Sequence, residues 1–473
     1  MEMYFTKTSS TGIGRVAVAV IVIVIIVIAG GAAYYITVSK PTSTTSSSTT
    51  STTAPVSTSS VSKSSTPIYL ADVEELSGAD AVSGTQVDEA VQFAASQVNA
   101  AGGVDIRGVN YTVDVVPVDI TSDVSNAPSL ISTALSEHNF SGVISDTDFS
   151  NQLNGVFESA KMPFMNNAVE PSENSFNYSF ETSTDVTGIT PITNAFFKWL
   201  NAVSPVTNIG IICDNTGFGQ AFCPAFNATA YYIGQKPLLD TTVNTPMTAA
   251  DAAPLATKIL SLNVKFVILP ILDVGSVELL IETLRGDGYT GAIMGNGPAY
   301  SGGTIRNAVG SAINGLFDGD CCFSDLTPAL TSYIQGKTGQ IPLGAAIAGY
   351  GQFYIYVYAM IAAQSAKVQD VWNELKVIHI TSGEAYRVFG GFGPVDFSTT
   401  SHRGNDSSYF AEWINGSQHT IFPTSFATAK VVWPLPTSSV SSTLPIVKAN
   451  SRSTSSPNNI PETFRTDPKW VAV

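Results

Sequence analysis

The residues fit for chemistry stand in short polar runs, each directly after an apolar one. Ser145-Asp146-Thr147-Asp148-Phe149-Ser150-Asn151 follows Ser141-Gly142-Val143-Ile144, and Asn166-Asn167-Ala168-Val169-Glu170 follows Met162-Pro163-Phe164-Met165. Asp214-Asn215-Thr216-Gly217-Phe218-Gly219-Gln220 closes a third apolar run, Asp273 stands shortly after Val267-Ile268-Leu269-Pro270, and Asn296-Gly297 ends Gly291-Ala292-Ile293-Met294-Gly295. Hydroxyls, amides and carboxylates in such places suit the capture of a small polar molecule. A helix that starts there adds exposed N–H groups for an acceptor. Each group also has a plainer role: Asp148 or Ser150 as an N-cap, Asp273 as a cap, Phe218 as a core contact, and Asn167 with Glu170 in a solvated loop.

Bond-breaking chemistry has no comparable basis. The chain contains no Gly-X-Ser-X-Gly, no His-Glu-X-X-His and no Walker-type phosphate loop. His138, His379, His402 and His419 fall on distant elements. Cys213, Cys223, Cys321 and Cys322 match no zinc spacing and allow three disulfide pairings. Pairing Cys213 with Cys223 would tie a strand end to the following helix, and the adjacent Cys321 and Cys322 would then be strained or free. The expectation is a binding protein with no catalytic residues, no metal and no cofactor.

The elements that must position the polar runs alternate regularly. After Ile68-Tyr69-Leu70-Ala71, apolar residues Val87, Ala90, Val91, Ala94, Ala95 and Val98 recur close to a helical period. Asn99 and the pair Gly102-Gly103 stop that helix, and a strand-like run over 111–119 follows. Helices predicted over 127–138 and 151–161 alternate with short apolar strands. The pattern restarts near 182–186, with helices over 187–203, 220–234, 249–262 and 277–288 between further strands. Two successive sets of βα units imply two doubly wound α/β lobes. Beyond 317 come a long apolar helix over 344–366, a shorter one over 368–377, and a terminal hairpin around Asn415-Gly416.

Composition bounds the setting. The 473 residues are 44% hydrophobic but only 12% charged, with a formal charge of −15. A chain without a basic patch is a poor partner for nucleic acid. Such a lightly charged, acidic surface suits an exported protein or an acidic medium. Residues 1–15 form a short, cytoplasmic N-terminus, and residues 16–38 are an uncharged apolar run about 34 Å long as a helix. Lys7 and Arg15 before it, against Lys40 after it, favour an inside N-terminus, and Tyr34 and Tyr35 fit the outer interface. The run reads as a transmembrane anchor, or alternatively as a cleaved signal segment. Residues 39–66 read as a glycosylated stalk, since Ser or Thr fills 20 of the 26 positions over 41–66. Sequons at Asn110, Asn139, Asn177, Asn227, Asn405 and Asn415 also favour an external, cell-surface location.

Four stretches, in this order, resemble the substrate-binding proteins of ABC importers with the type I periplasmic-binding fold, specifically the branched-chain amino acid and amide group. They are Leu76-Ser77-Gly78 with Val98-Asn99-Ala100-Ala101-Gly102-Gly103 and Arg107-Gly108; Asp214 to Gln220; Gly349-Tyr350; and Phe392-Gly393-Pro394-Val395-Asp396-Phe397. The resemblance covers 67–432. It implies two parallel-sheet lobes joined by three crossings near 182–186, 312–319 and 388–394. Lobe I would comprise 67–183 plus 316–388, lobe II 184–315 plus 389–434, and the tail 435–473 would be disordered. Ligand would bind between lobes that close by a hinge.

The resemblance also implies ligand contacts. Ser83, with Ser77 or Asp80, would reach the cleft from the first turn. Asp146, Thr147 and Asp148 stand where the group holds an α-carboxylate. Asn167, Ala168 and Glu170 stand where small hydroxyls are usual. Phe218 replaces the usual Tyr, and Asp273, Asn296 and Tyr350 complete the set. Gly297 stands where amino-acid binders carry a Glu for the ligand's ammonium. An ammonium buried without a counter-charge is costly, so Glu170, Asp146 or Asp273 substitutes, or the ligand is not an ordinary α-amino acid. The expected function is solute capture for ABC permease and ATPase subunits, the ligand being an amino acid, an amide or a short peptide-like molecule. A sensor ectodomain and a cell-surface structural protein are the alternatives.

Overall fold

The computed structural model describes residues 62–436 apart from 79, 124, 148, 168–175, 184–188, 398–403 and 405–407. The apolar run 16–38, the stalk up to 61 and the tail after 436 lie outside the described residues, as do Asp148, Ala168 and Glu170.

Lobe I opens with β1 (Ser62–Lys63), β2 (Ile68–Glu74), α1 (Ala81–Ala100), β3 (Val104–Ile106), β4 (Val109–Tyr111) and β5 (Val113–Asp119). It continues with α2 (Ala127–Glu137), β6 (Phe140–Ile144), α3 (Ser150–Ala160), β7 (Phe164–Asn166) and β8 (Ser179–Glu181). β5-β2-β6-β7-β8 form one sheet, parallel throughout. Helices cover both faces, so β2 is buried almost along its whole length, as parallel strands are. The fold begins earlier than the predicted end of the stalk: Ser62 and Lys63 pair in parallel with Val109 and Asn110. That pairing uses backbone groups and needs no apolar side chain.

Lobe II runs through α4 (Ile189–Val203), β9 (Ile209–Asp214), α5 (Gly217–Tyr232), β10 (Leu239–Val243), α6 (Ala249–Ser261), β11 (Phe266–Leu269), α7 (Val274–Gly286), β12 (Ala292–Asn296), α8 (Gly302–Val309) and β13 (Leu316–Asp320). The chain then returns to lobe I for α9 (Pro328–Thr338), α10 (Gly344–Ala363), α11 (Val368–Leu375) and α12 (Gly383–Phe389). It ends in lobe II with β14 (Tyr409–Ile414) and β15 (Ser417–Phe422). The second sheet has the order β10-β9-β11-β12-β13-β14-β15, with β14 and β15 antiparallel. Phe196 of α4 stacks on Phe410 of β14 at 4.0 Å, fastening the late hairpin to the first helix of the lobe.

α10 is the centre of lobe I. Its Gly344–Ala363 span is the one helix among the described residues long and apolar enough to cross a membrane, yet most of it is buried. An all-round apolar helix of this kind belongs inside a core. α1 and the β3–β4 ribbon pack on it from one side, and Tyr356 meets β6 from the other.

Two of the expected crossings are corrected by the strand pairing and by the packing of Phe397. The first crossing lies between β8 and α4. The second follows Asp320 and does not precede Leu316, because β13 pairs in parallel with β12 over Leu316–Gly319. An apolar strand with a sheet edge beside it completes that sheet before the chain leaves. The third follows Phe397, which is buried with lobe I, and precedes Tyr409. The Ile380–Val395 bridge keeps the segment before it in lobe I.

Candidate functional site

The first and second crossings leave from the carboxyl ends of β8 and β13, so these edges of the two sheets face the junction. Ligands of open parallel α/β sheets bind outside such edges. The loops there are built by two aspartates in matching roles. Asp119, the last residue of β5, accepts hydrogen bonds through Oδ1 from the N–H groups of Leu76 (3.0 Å), Ser77 (3.2 Å) and Thr121 (2.8 Å). Burial pushes its carboxyl upward, and the hydrogen bonds from Ser77, Thr121 and Leu76 outweigh that push and hold it below its usual range. In lobe II, Asp214 ends β9. Its Oδ1 accepts from Thr216 N (3.0 Å) and Gly219 N (3.0 Å), and its Oδ2 accepts from Leu272 N (2.9 Å) in the loop after β11. Each aspartate therefore ties its own loop to that of a neighbouring strand.

Two glycines let the following helices come close. A Cβ on Gly84 of α1 would lie 2.4 Å from the Glu75 carbonyl oxygen, and one on Gly219 of α5 would lie 2.3 Å from the Asp214 carbonyl oxygen. A disulfide between Cys213 and Cys223, with Cα atoms 6.2 Å apart, adds a covalent tie between β9 and α5.

The structure brings some of the sequence-derived candidates to this edge and commits others elsewhere. Ser83 is half-buried in the first turn of α1. Asp146 follows β6, and its N–H donates to Glu74 Oε1 at 2.7 Å. Thr147 is buried; its hydroxyl donates to Glu75 and accepts from Phe149 N at 3.0 Å. Asn167 is held between two crossings, accepting from Thr182 Oγ1 at 3.2 Å and reaching Cys321 Sγ at 3.6 Å. Phe218 is partly buried against Phe222, with ring centroids 4.5 Å apart. Phe218 also covers Gly297: a Cβ there would lie 3.5 Å from the ring. The two positions that depart most from the amino-acid binders are therefore neighbours, and a side chain at 297 would meet the Phe218 ring. Gly297 has φ +90°, which a glutamate would adopt only under strain. Asn296 is 8% exposed and turned toward Gly319 on β13. Asp273 caps α7, accepting from Ser276 N at 2.8 Å.

Tyr350 requires a correction. It is 1% exposed in the lobe I core, stacked near Phe93, with its hydroxyl donating to Glu384 at 3.2 Å. α10 is apolar on every side, and this tyrosine serves its packing, remote from the strand ends.

The loops that directly follow the parallel strands are acidic, whereas the third crossing carries His402 and Arg403, which lie outside the described residues. The loops after the parallel strands hold Glu75, Asp80, Asp123, Asp146, Asp273 and Asp325, and none holds Lys, Arg or His. Burial raises Glu74 well above the usual carboxylate range, with Asp72 and Asp146 adding to the effect. Asp320, at the end of β13, is pushed up to about 6 by burial. The sequence reading missed Asp119 and Asp320. The signal for Asp119 was its place as the closing residue of an apolar strand, matching that of Asp214.

A family model described as periplasmic binding protein matches residues 67–418. The chain belongs to this family. Its members are typically non-enzymatic solute binders. Among solved structures, this binding protein is similar to a branched-chain amino acid ABC transporter protein from Rhodospirillum rubrum, with TM-score 0.60 and 17% identity over 75% of this chain and 100% of that one. A branched-chain amino acid substrate-binding protein from Streptococcus pneumoniae, in complex with isoleucine, gives 0.59 and 16% over 75% and 99%. A solute-binding protein from R. palustris, in complex with benzoate, gives 0.57 and 16% over 75% and 96%. No curated protein matches. At such identities the likeness is one of fold, and the fold is the type I periplasmic-binding arrangement.

Proposed function

We propose that this binding protein captures a small polar solute between its lobes outside the cell and presents it to the permease and ATPase subunits of an ABC importer. The observation that carries this is the set of polar loops directly after the parallel strands, which are acidic and hold no Lys, Arg or His. Acidic walls favour a ligand rich in hydrogen-bond donors: a cationic or neutral amine, amide or short peptide-like molecule. An α-carboxylate would find no Lys or Arg in those loops and would depend on their N–H groups or on Arg403 of the third crossing. Ser83, Asp146, Asn167 and Phe218 are the proposed contacts, together with Asp148 in the loop after β6 and Ala168 and Glu170 in the loop after β7. Thr147 and Asp273 support the walls through the bonds described above. The apolar run 16–38 would tether the protein, the Ser/Thr-rich segment would hold it off the membrane, and exposed sequons such as Asn139 and Asn415 would carry glycans.

A thermal-shift screen of the purified protein tests this. Ligand at about one hundred times its Kd adds about 2.7 kcal/mol of stability. Amines or amides should give a saturating rise in Tm that Asp146→Ala or Phe218→Ala abolishes. Tighter binding of benzoate or another anion than of any donor-rich compound would refute the charge argument. A protein that no compound of any class stabilises would be better explained as a cell-surface structural protein.

A further inference from the structure

Cys321 and Cys322 occupy the second crossing, directly after β13, where the chain passes from lobe II to lobe I. Their sulfur atoms are 2.7 Å apart, so both turn to the same side of the chain. They are 7% and 1% exposed. Parts of all three crossings converge on them. Asn167 Nδ2 lies 3.6 Å from Cys321 Sγ, while its Oδ1 accepts from Thr182 of the first crossing at 3.2 Å. Cys322 Sγ lies 3.2 Å from the Gly344 carbonyl at the start of α10. Tyr409, which receives the third crossing, is near enough that the Cys322 and Cys321 thiols add to the upward push of burial on its hydroxyl.

We propose that Cys321 and Cys322 close a vicinal disulfide that acts as a redox-sensitive latch at the junction of the crossings. The bond itself is independent of the ligand assignment; its effect on lobe closure rests on the cleft described above. The oxidant is an external disulfide of the thiol-exchange class. One cysteine thiolate attacks it and expels the first thiol, and the second cysteine then attacks the mixed disulfide and expels the other. Two S–H bonds are lost and one S–S bond forms within the protein, and the two electrons and two protons leave on the two reduced thiols. Adjacent Cα atoms across a trans peptide are about 3.8 Å apart, whereas ordinary disulfides span about 4.4–6.8 Å. Adjacency therefore strains such a bond and makes it more readily reduced than Cys213–Cys223, whose Cα separation of 6.2 Å is ordinary. The mutual contact and then burial raise the Cys321 thiol, and burial chiefly raises the Cys322 thiol, so the reduced pair exchanges slowly while covered.

The sequence makes the test direct. Trypsin leaves Cys321 and Cys322 together on the peptide 307–337 and Cys213 and Cys223 together on 199–258, since Lys236 precedes Pro237. The purified full-length chain is equilibrated with oxidised and reduced glutathione, then unfolded with a thiol-alkylating reagent present and digested. The expected 307–337 peptide is unalkylated and lighter than the dithiol form by two hydrogen atoms. In a dithiothreitol titration this pair should open at about a tenfold or greater lower reductant ratio than the 199–258 pair. Cys321→Ser should leave Cys322 fully alkylated while the 199–258 peptide stays closed. A 307–337 peptide doubly alkylated after oxidation, a disulfide-linked dimer, or simultaneous opening of the two pairs would each overturn the proposal.

Discussion

Asp214 illustrates how much one side chain organises. It accepts three backbone N–H groups and the Thr216 hydroxyl, from two separate loops. Hydrogen bonds to a charged acceptor contribute about 1.5–3 kcal/mol each when measured by truncation, and they share one carboxylate here. Asp214→Ala should therefore lower unfolding stability by about 2–4 kcal/mol in urea titration, and Asp214→Asn by less. Gly219→Ala should cost about 1–3 kcal/mol through forced displacement of the Asp214 backbone. The residue types at the candidate site were legible from sequence, because polar runs after apolar strands mark strand ends. Their engagement was not: Thr147 spends its hydroxyl on Glu75 and Phe149, and Tyr350 spends its own on Glu384. Partners some 34 or 72 positions away leave no local trace in the sequence.

Among the elements, α10 decides lobe I. Tyr356 on it donates to the carbonyls of Val143 (2.9 Å) and Pro163 (2.8 Å), and accepts from Val143 N at 3.3 Å. Tyr356→Phe removes these hydroxyl bonds, while Val143 N keeps its 2.9 Å bond to the Pro163 carbonyl, and should cost about 0.5–1.5 kcal/mol, measurable by denaturant unfolding with an unchanged m-value. The helices and most strands were legible because periodicity changes from about 3.6 to 2 at their boundaries. The lobe assignment of Leu316–Asp320 was not, because an apolar strand carries no mark of the sheet it joins; only its pairing with β12 decides that. β1 escaped notice for the related reason that two polar residues pair through backbone alone.

At the scale of the molecule, buried carboxyls set a pH dependence. Burial raises Asp72, Glu74 and Asp318 well above their ordinary range, Asp320 to about 6 and Glu412 to about 8. Above roughly pH 4 the unfolded chain loses these protons while the native state keeps them, so stability must fall as pH rises through the raised values. Each group contributes up to about 1.4 kcal/mol per pH unit within its window. Asp119 has the opposite sign: its depressed value adds stability above the ordinary carboxylate range and loses it in stronger acid. Tm should peak near pH 4–5 and decline toward pH 8; a Tm that climbs from pH 5 to 8 would contradict these assignments. The lightly charged composition pointed to tolerance of an acidic medium. The identity and burial of the carboxyls responsible required the fold.

The chain path carries one more consequence, for synthesis. Neither lobe is continuous: lobe I takes its sheet from residues before 182 and its central helix from Gly344–Ala363. As the chain emerges, the face of α1 bearing Val87 and Val91 waits for a helix still some 250 positions away. The contact order is high on this account, and folding by such late closure is slow and exposes apolar surface meanwhile. A chain ending at Asp320 would possess every strand of the first sheet and still lack the interior that holds it, so it should aggregate or be degraded while the complete chain remains soluble.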